Sequence, residues 1–331
     1  MELRSFRELI GHEEIVHHLE TAIRGGTVAH AYIIEGESGS GKRTIAALFA
    51  AALLCETKGT DPCGKCLSCS KAFSNNHPDI IHVQHEKPGV ISVDEIREQV
   101  VSTADIKPYE SPWKIYIIAD ADKMNPQAQN ALLKTIEEPA PYVIVLLLAS
   151  SRESLLPTIR SRCMTLSLKP IDPERIREHL EKELHVSAQE AQVIAAFSQG
   201  NIGKARALAT GSDFAEMVRG AVSILTKIRK MNVRQCIAAI SQLTLDKQNI
   251  YDYLDIFTMW FRDVLMFKAT QDIDSLIFRG RLEAISEEAR HCSYEGLEEI
   301  LAAIDTARTR LRANVNFDIT MELLFLTIRE K

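Results

Sequence analysis

No stretch of this chain is apolar for long enough to cross a bilayer. The longest apolar helical run, Ile45 to Cys55, falls well short of the roughly 20 residues a span needs. No secretory signal is expected either, because the residues MELRSFRELI are charged and mixed, with no apolar core. A broad basic excess is also absent: 39 Lys and Arg stand against 45 Asp and Glu, a net charge of -6. That balance argues against a chain that grips nucleic acid alone with a wide cationic face. A local basic patch, or DNA contact shared within a complex, stays open. The sequence shows no fixed-period repeat and no low-complexity linker. The expectation is a cytoplasmic protein with no membrane partner. In that reducing compartment the seven cysteines point to metal binding or core packing rather than disulfides.

What is present is enough chain for two or three domains, since 331 residues exceed what one hydrophobic core usually serves. Residues 5 to 24 carry apolar side chains at helical spacing (Ile10, Ile15, Leu19, Ile23). Ala31-Tyr32-Ile33-Ile34 reads as a buried strand running into Gly36, and Thr44 to Cys55 as the helix that follows. Further strands are expected at Ile80 to Val83, Lys114 to Ala119 and Val143 to Ala149, with helices at Ser92 to Thr103 and Pro126 to Glu138. Strands alternating with helices predict a parallel sheet in an α/β domain. Lys169-Pro170-Ile171-Asp172-Pro173 reads as a boundary. Beyond it only helical patterns are found, among them Phe214 to Met231 and Glu295 to Ala313.

The strand–loop–helix near the start carries the sharpest motif. Gly36-Glu37-Ser38-Gly39-Ser40-Gly41-Lys42-Arg43 fits the phosphate-loop template G-x-x-x-x-G-K-[ST] through Lys42. Gly36, Gly39 and Gly41 let the backbone wrap an anion, the helix start adds donors, and Lys42 would reach the β- and γ-phosphates. The last slot should hold a hydroxyl for Mg²⁺, and here it is Arg43. Arg43 either points to solvent or supplies positive charge where the metal would have been. Thr44 is one position late, about 100° around the helix. A second metal ligand is expected at the end of an apolar strand. In Lys114-Ile115-Tyr116-Ile117-Ile118-Ala119-Asp120 that position is Ala119, with Asp120 in the place of the activating carboxylate. Two ligands missing from one small shell predict weak or absent hydrolysis.

Cys55, Cys63, Cys66 and Cys69 form C-x₇-C-x₂-C-x₂-C. Four thiols at that spacing suit a tetrahedral structural Zn²⁺ with no open coordination position. His77, nearby, reads as a loop histidine.

A phosphate loop, a four-cysteine module, Asn130-Ala131-Leu132-Leu133-Lys134-Thr135-Ile136-Glu137-Glu138-Pro139 and then Ser161-Arg162-Cys163 together resemble the bacterial clamp-loader ATPases of the AAA+ class. The resemblance covers essentially the whole chain. It implies an α/β parallel-sheet AAA+ P-loop domain over 1–168 with the zinc module at 55–69. A small helical lid domain over 169–210 and an all-helical collar for oligomerisation over 211–331 would follow. It implies that Ile10 and Gly11, after Arg4 and Phe6, wrap an adenine. With Gly36, Gly39, Gly41, Lys42, Arg43 and Thr44 they would hold ATP or ADP without efficient hydrolysis. It places a sensor arginine at Gly203, a third departure from the motor pattern. These departures resemble the stationary, non-motor branch. Arg162 would then act in trans as an arginine finger at a neighbour's ATP site; without the family it would serve as well in an intrachain ion pair or a DNA contact. Implied partners are gamma/tau and delta subunits in a hetero-oligomeric ring, the sliding clamp, and primed DNA through the complex. The rival is a catalytically active gamma/tau-type ATPase, in which Asp120 and Thr44 rescue the metal.

Overall fold

The computed structural model describes residues 3–87, 89–211 and 213–331. The described residues fall into two compact units, one running to Arg175 and including Gly200–Gly203, the other comprising Ile176–Gln199 and Lys204–Lys331.

The first unit is a parallel sheet of five strands: β1 (Ala31–Glu35), β2 (Ile80–His82), β3 (Lys114–Ile118), β4 (Val143–Ala149) and β5 (Met164–Ser167), in the order β2-β3-β4-β1-β5. Its helices are α1 (Glu13–Gly25), α2 (Lys42–Leu53), α3 (Leu67–Phe73), α4 (Val93–Ile96), α5 (Ser102–Ala104), α6 (Pro126–Glu137) and α7 (Pro157–Arg160). The predicted parallel α/β layer is therefore observed. Alternation along β1 sends Tyr32 and Ile34 to the α1 and α2 side with Leu19, Leu48 and Phe49. Ala31 and Ile33 go to the α6 side with Leu132 and Ile136. Each such fully buried aliphatic side chain contributes about 1.5–3 kcal/mol, so strand register is tightly specified.

Two features depart from expectation. Strand β5 was not foreseen: of its four residues only Leu166 is buried, and its place is set by pairing with β1, Tyr32 opposite Met164. The helix expected over Ser92 to Thr103 is interrupted by a π-helical turn at Arg97–Val101. Ser102 Oγ donates to Glu98 O (2.6 Å) and Thr103 Oγ1 to Gln99 O (2.9 Å). Side-chain hydroxyls thus compete for the carbonyls an α-helix would use.

Beyond Ser167 no strand occurs among the described residues. The helices are α8 (Pro173–Leu184), α9 (Ala188–Ser198), α10 (Ile202–Thr210), α11 (Asp213–Leu225), α12 (Val233–Leu245), α13 (Ile250–Thr270), α14 (Leu282–His291), α15 (Tyr294–Arg312) and α16 (Phe317–Glu330). Trp260, Phe257 and Phe261 of α13 form the buried centre of the second unit. Buried Asp263 accepts hydrogen bonds from the Ile277 and Phe278 amides, fixing the chain before α14.

Candidate functional site

Strand β1 delivers the phosphate loop to the N-terminus of α2, whose N-cap is Gly41 in a left-handed conformation (φ 100°). The loop is held from outside by its carbonyls. Lys42 Nζ donates to Gly36 O and, at 2.9 Å, to Glu37 O. Asn201 Nδ2 donates to Ser38 O (2.7 Å), and the Gly203 amide donates to Gly39 O (2.9 Å). His12 Nε2 lies 3.3 Å from Ser40 O, so that nitrogen carries the donated proton; burial holds the His12 pKa below its ordinary value. With the carbonyls tied outward, the amides of Gly39, Gly41 and Lys42 have no acceptor among the described residues. Ser40 Oγ is buried and unpartnered. Free amides at a helix N-terminus beside an orphaned hydroxyl fit an anion. Burial lowers the Lys42 pKa, opposed by Asp122 and Asp120.

Arg43 is largely exposed to solvent, its side chain 74% accessible, and it also reaches a carboxylate. Its Nη2 lies 3.5 Å from Asp120 Oδ2, to which Lys123 Nζ also donates at 3.2 Å. Asp120 sits just beyond β3 in a left-handed conformation, φ 52°. The carboxylate just beyond β3 is thus paired with two of the chain's own cations, and half-buried Ala119 precedes it with no ligand atom. Thr44 is half-buried on the next step of α2.

Gly203 reaches the loop as backbone. A Cβ there would lie 2.6 Å from Gly39 O and 2.7 Å from Gly39 Cα, so only glycine allows this approach. Gly11 is equally constrained, with φ +72° and a virtual Cβ 2.9 Å from Ile171 Cγ1. Beside it lies a cavity of about 230 Å³ lined by Gly11, His12, Ile15, Pro170, Ile171 and Arg175. Half-buried Ile10 is next to it in the chain. Arg4 and Phe6 lie elsewhere: Phe6 enters the core, and its amide donates to Asp61 Oδ1 (2.7 Å) in the cysteine module.

The four sulfurs of Cys55, Cys63, Cys66 and Cys69 lie within 4.8 Å of one another. A tetrahedral ion with Zn–S bonds near 2.3 Å spaces its sulfurs by about 3.8 Å, and Cys63 and Cys69 are already 4.0 Å apart. Backbone amides donate to the sulfurs, Cys63 N to Cys55, Cys66 N to Cys63 and Cys69 N to Cys66, at 3.3–3.4 Å. The Lys65 and Cys66 amides hold the Cys63 thiol down to about 6, while burial pushes Cys69 up. A divalent cation among them supplies the charge that keeps such a buried thiolate ionised. The cluster therefore fits zinc. His77 stands apart from it: buried, it accepts from the Asp79 amide at Nδ1 and lies 3.1 Å from Ser68 Oγ.

Arg162 follows α7 on the surface. Its Nε lies 3.0 Å from Glu137 Oε1, and its Nη1 donates to Thr158 O (3.0 Å) and Ser161 Oγ (3.2 Å).

Comparison with known proteins accords with this geometry. A family model described as DNA polymerase III, delta subunit, matches residues 11–172. The chain is 31% identical over 316 residues to DNA polymerase III subunit delta′ of Bacillus subtilis, covering 94% of each chain. It belongs to the delta-prime family of DNA polymerase III clamp-loader subunits. The Pseudomonas aeruginosa delta′ subunit is 31% identical over 256 residues, covering 75% of each. Subunit tau of B. subtilis is 25% identical, covering 93% of this chain but 58% of tau. Family membership accords with the AAA+ P-loop reading of the sheet. Two loop-holding residues escaped sequence reasoning. His12 and Asn201 lie 28 and 163 residues from the carbonyls they hold, and neither belongs to a recognisable spacing. No described helix is long and apolar enough to cross a membrane.

Proposed function

We propose that this member of the delta-prime family is the non-motor partner in a clamp-loader ring. It donates Arg162 to the ATP site of a neighbouring gamma/tau-type motor and, with delta, helps load the sliding clamp onto primed DNA. The observation that carries this is an asymmetry within one domain. The chain's own pocket has Ala119 where a metal ligand is expected and Arg43 paired with Asp120 in the place of the activating carboxylate, whereas Arg162 stands half-exposed on the surface. A guanidinium there stabilises charge developing on a transferred phosphoryl group, an effect of about 10³–10⁵-fold for arginine fingers.

The cradle of Gly36, Gly39, Gly41, Lys42, Arg43 and Thr44, with Ile10 and Gly11, holds ATP or ADP without efficient turnover. Cys55, Cys63, Cys66 and Cys69 hold a zinc ion that cross-links residues 55–69 and has no open position for catalysis. The working division is 1–168, a lid at 169–210 and a collar at 211–331. In support of the collar, α16 leaves Ile319, Leu323 and Leu326 exposed at i, i+4 and i+7. That is one apolar stripe suited to a neighbouring collar helix. The cytoplasm is the compartment this reading requires.

The test is a reconstituted ring carrying Arg162→Ala. ATP turnover is expected to fall roughly 10²-fold or more, with clamp loading lost in parallel. Unchanged turnover would overturn the in-trans role.

A further inference from the structure

We propose that Glu137 is the positioning residue for Arg162, a role that rests on the in-trans reading above. Glu137 is the last residue of α6, and Arg162 directly follows the turn after α7. Helix α7 is itself fixed to the α6 side, because Ile159 packs into the same core cluster as Leu132 and Ile136. Gln129 of α6 ties the two segments at the other end, accepting from the Leu156 amide at 2.7 Å. The backbones that carry Glu137 and Arg162 therefore stand on one frame.

The guanidinium is planar and carries five N–H donors in a fixed fork. Here its Nε edge is held by Glu137 Oε1 at 3.0 Å. Nη1 is held by Thr158 O at 3.0 Å and Ser161 Oγ at 3.2 Å. No described residue takes up Nη2. Three contacts on two nitrogens fix the plane and leave the Nη2 donors as the edge offered outward. Thr158 and Ser161 lie on Arg162's own turn and move with it. Glu137 adds the one contact from a separate element, and it is the contact that holds the Nε edge. Without it the long side chain regains part of its rotamer freedom, and a donor that must meet developing phosphate charge is correctly aimed less of the time.

A carboxylate also partly neutralises the arginine, which would make Glu137 a brake rather than an aim. Both groups are half-exposed, 41% for the Arg162 side chain and 43% for Glu137. Solvent therefore screens the charge while the hydrogen bond still fixes geometry.

The experiment uses the reconstituted ring with Glu137→Ala, Glu137→Gln and Arg162→Ala, reading kcat and KM for ATP. Glu137→Ala is expected to lower kcat about tenfold with KM unchanged. Glu137→Gln, which keeps an acceptor for Nε without the charge, should recover most of that loss. Thermal melting of the isolated chain should be the same for all three. If Arg162→Ala cripples turnover but Glu137→Ala does not, the positioning role is wrong and the in-trans reading stands. If Arg162→Ala has no effect, the in-trans reading itself fails. A rise in kcat on Glu137→Ala, or a Glu137→Gln variant as slow as Ala, would also overturn the positioning role.

Discussion

The closest backbone approach at the phosphate loop is the place where the structure makes its sharpest demand. The resemblance to clamp-loader motors puts a sensor arginine at position 203, so Gly203→Arg looks like a restoration. The structure implies the reverse. A Cβ at 203 meets Gly39 O at 2.6 Å, Gly39 Cα at 2.7 Å and Gly39 C at 3.1 Å. All three are backbone, so no rotamer change relieves the contact. The segments must separate by several tenths of an ångström, and the Gly203 amide to Gly39 O bond of 2.9 Å is stretched or lost. Overpacking of this kind costs about 1–3 kcal/mol and a lost hydrogen bond about 1 kcal/mol. A total near 2–4 kcal/mol corresponds to a drop of roughly 4–16 °C in Tm for a unit of this size. Gly203→Ala isolates the steric part and should already show it. Gly203→Arg should be no better, with amide exchange accelerated at Ser38 to Ser40 in both. The assay is differential scanning calorimetry alongside ATP titration. If Gly203→Arg melts within 1 °C of the native chain, the reasoning about this contact is wrong. Tighter ATP binding by that variant would refute it equally.

Three further outcomes follow from the same site. Arg43→Thr removes an exposed ion pair, so stability should change by no more than about 0.5 kcal/mol. Calorimetric ATP binding should nevertheless become Mg²⁺-dependent; equal affinity with and without Mg²⁺ would count against Arg43 as the chain's stand-in cation. Zinc removal should loosen the N-terminal segment, because Asp61, inside the cysteine module, accepts from Ser5 Oγ at 2.5 Å and the Phe6 amide at 2.7 Å. Hydrogen exchange over residues 3–12 should rise when a chelator strips the metal, and unchanged exchange would sink that coupling. Acidification should destabilise the fold: burial lowers the pKa of His12, His77, His82 and His179 below the ordinary 6.5. The unfolded chain then binds more protons than the native one as pH falls below about 6.5, so stability is full above that value and declines through the lowered pKa values. A Tm that stays flat from pH 7.5 to 5.5 would contradict it.

The parts of this molecule that were legible in the sequence are those a local pattern encodes. Ala31 to Ile34 and Val143 to Ala149 are uninterrupted apolar runs, and both are buried strands. The cysteine spacing brings four sulfurs together because its turns are short. Strand β5 was illegible because Met164-Thr165-Leu166-Ser167 has one buried side chain and is a strand only by virtue of β1 beside it. The π-turn after Ile96 was illegible because hydroxyl-to-carbonyl bonds carry no periodicity. No spacing links Glu137 to Arg162, 25 residues on; that pairing required the α6–α7 frame.

The departures from the motor pattern are each accommodated by contacts of their own. A cation in a helix's first turn is mildly unfavourable, by about 0.3–1 kcal/mol, yet Arg43 is tolerated because Asp120 lies 3.5 Å away. Asp120 is available for that pairing because the strand ends at Ile118 and the chain turns there in a left-handed conformation. Gly203 lets the chain clamp Gly39 by backbone alone, and a side chain restored there breaks the clamp. Restoring one residue is therefore not expected to confer turnover: Arg43→Thr returns a hydroxyl but leaves Ala119 without a ligand atom, and Gly203→Arg damages the loop it should serve. Arg162 is joined to none of these contacts. Its bonds run to Glu137, Thr158 and Ser161, so changes in the chain's own pocket leave the geometry of the arginine proposed to serve a neighbour untouched.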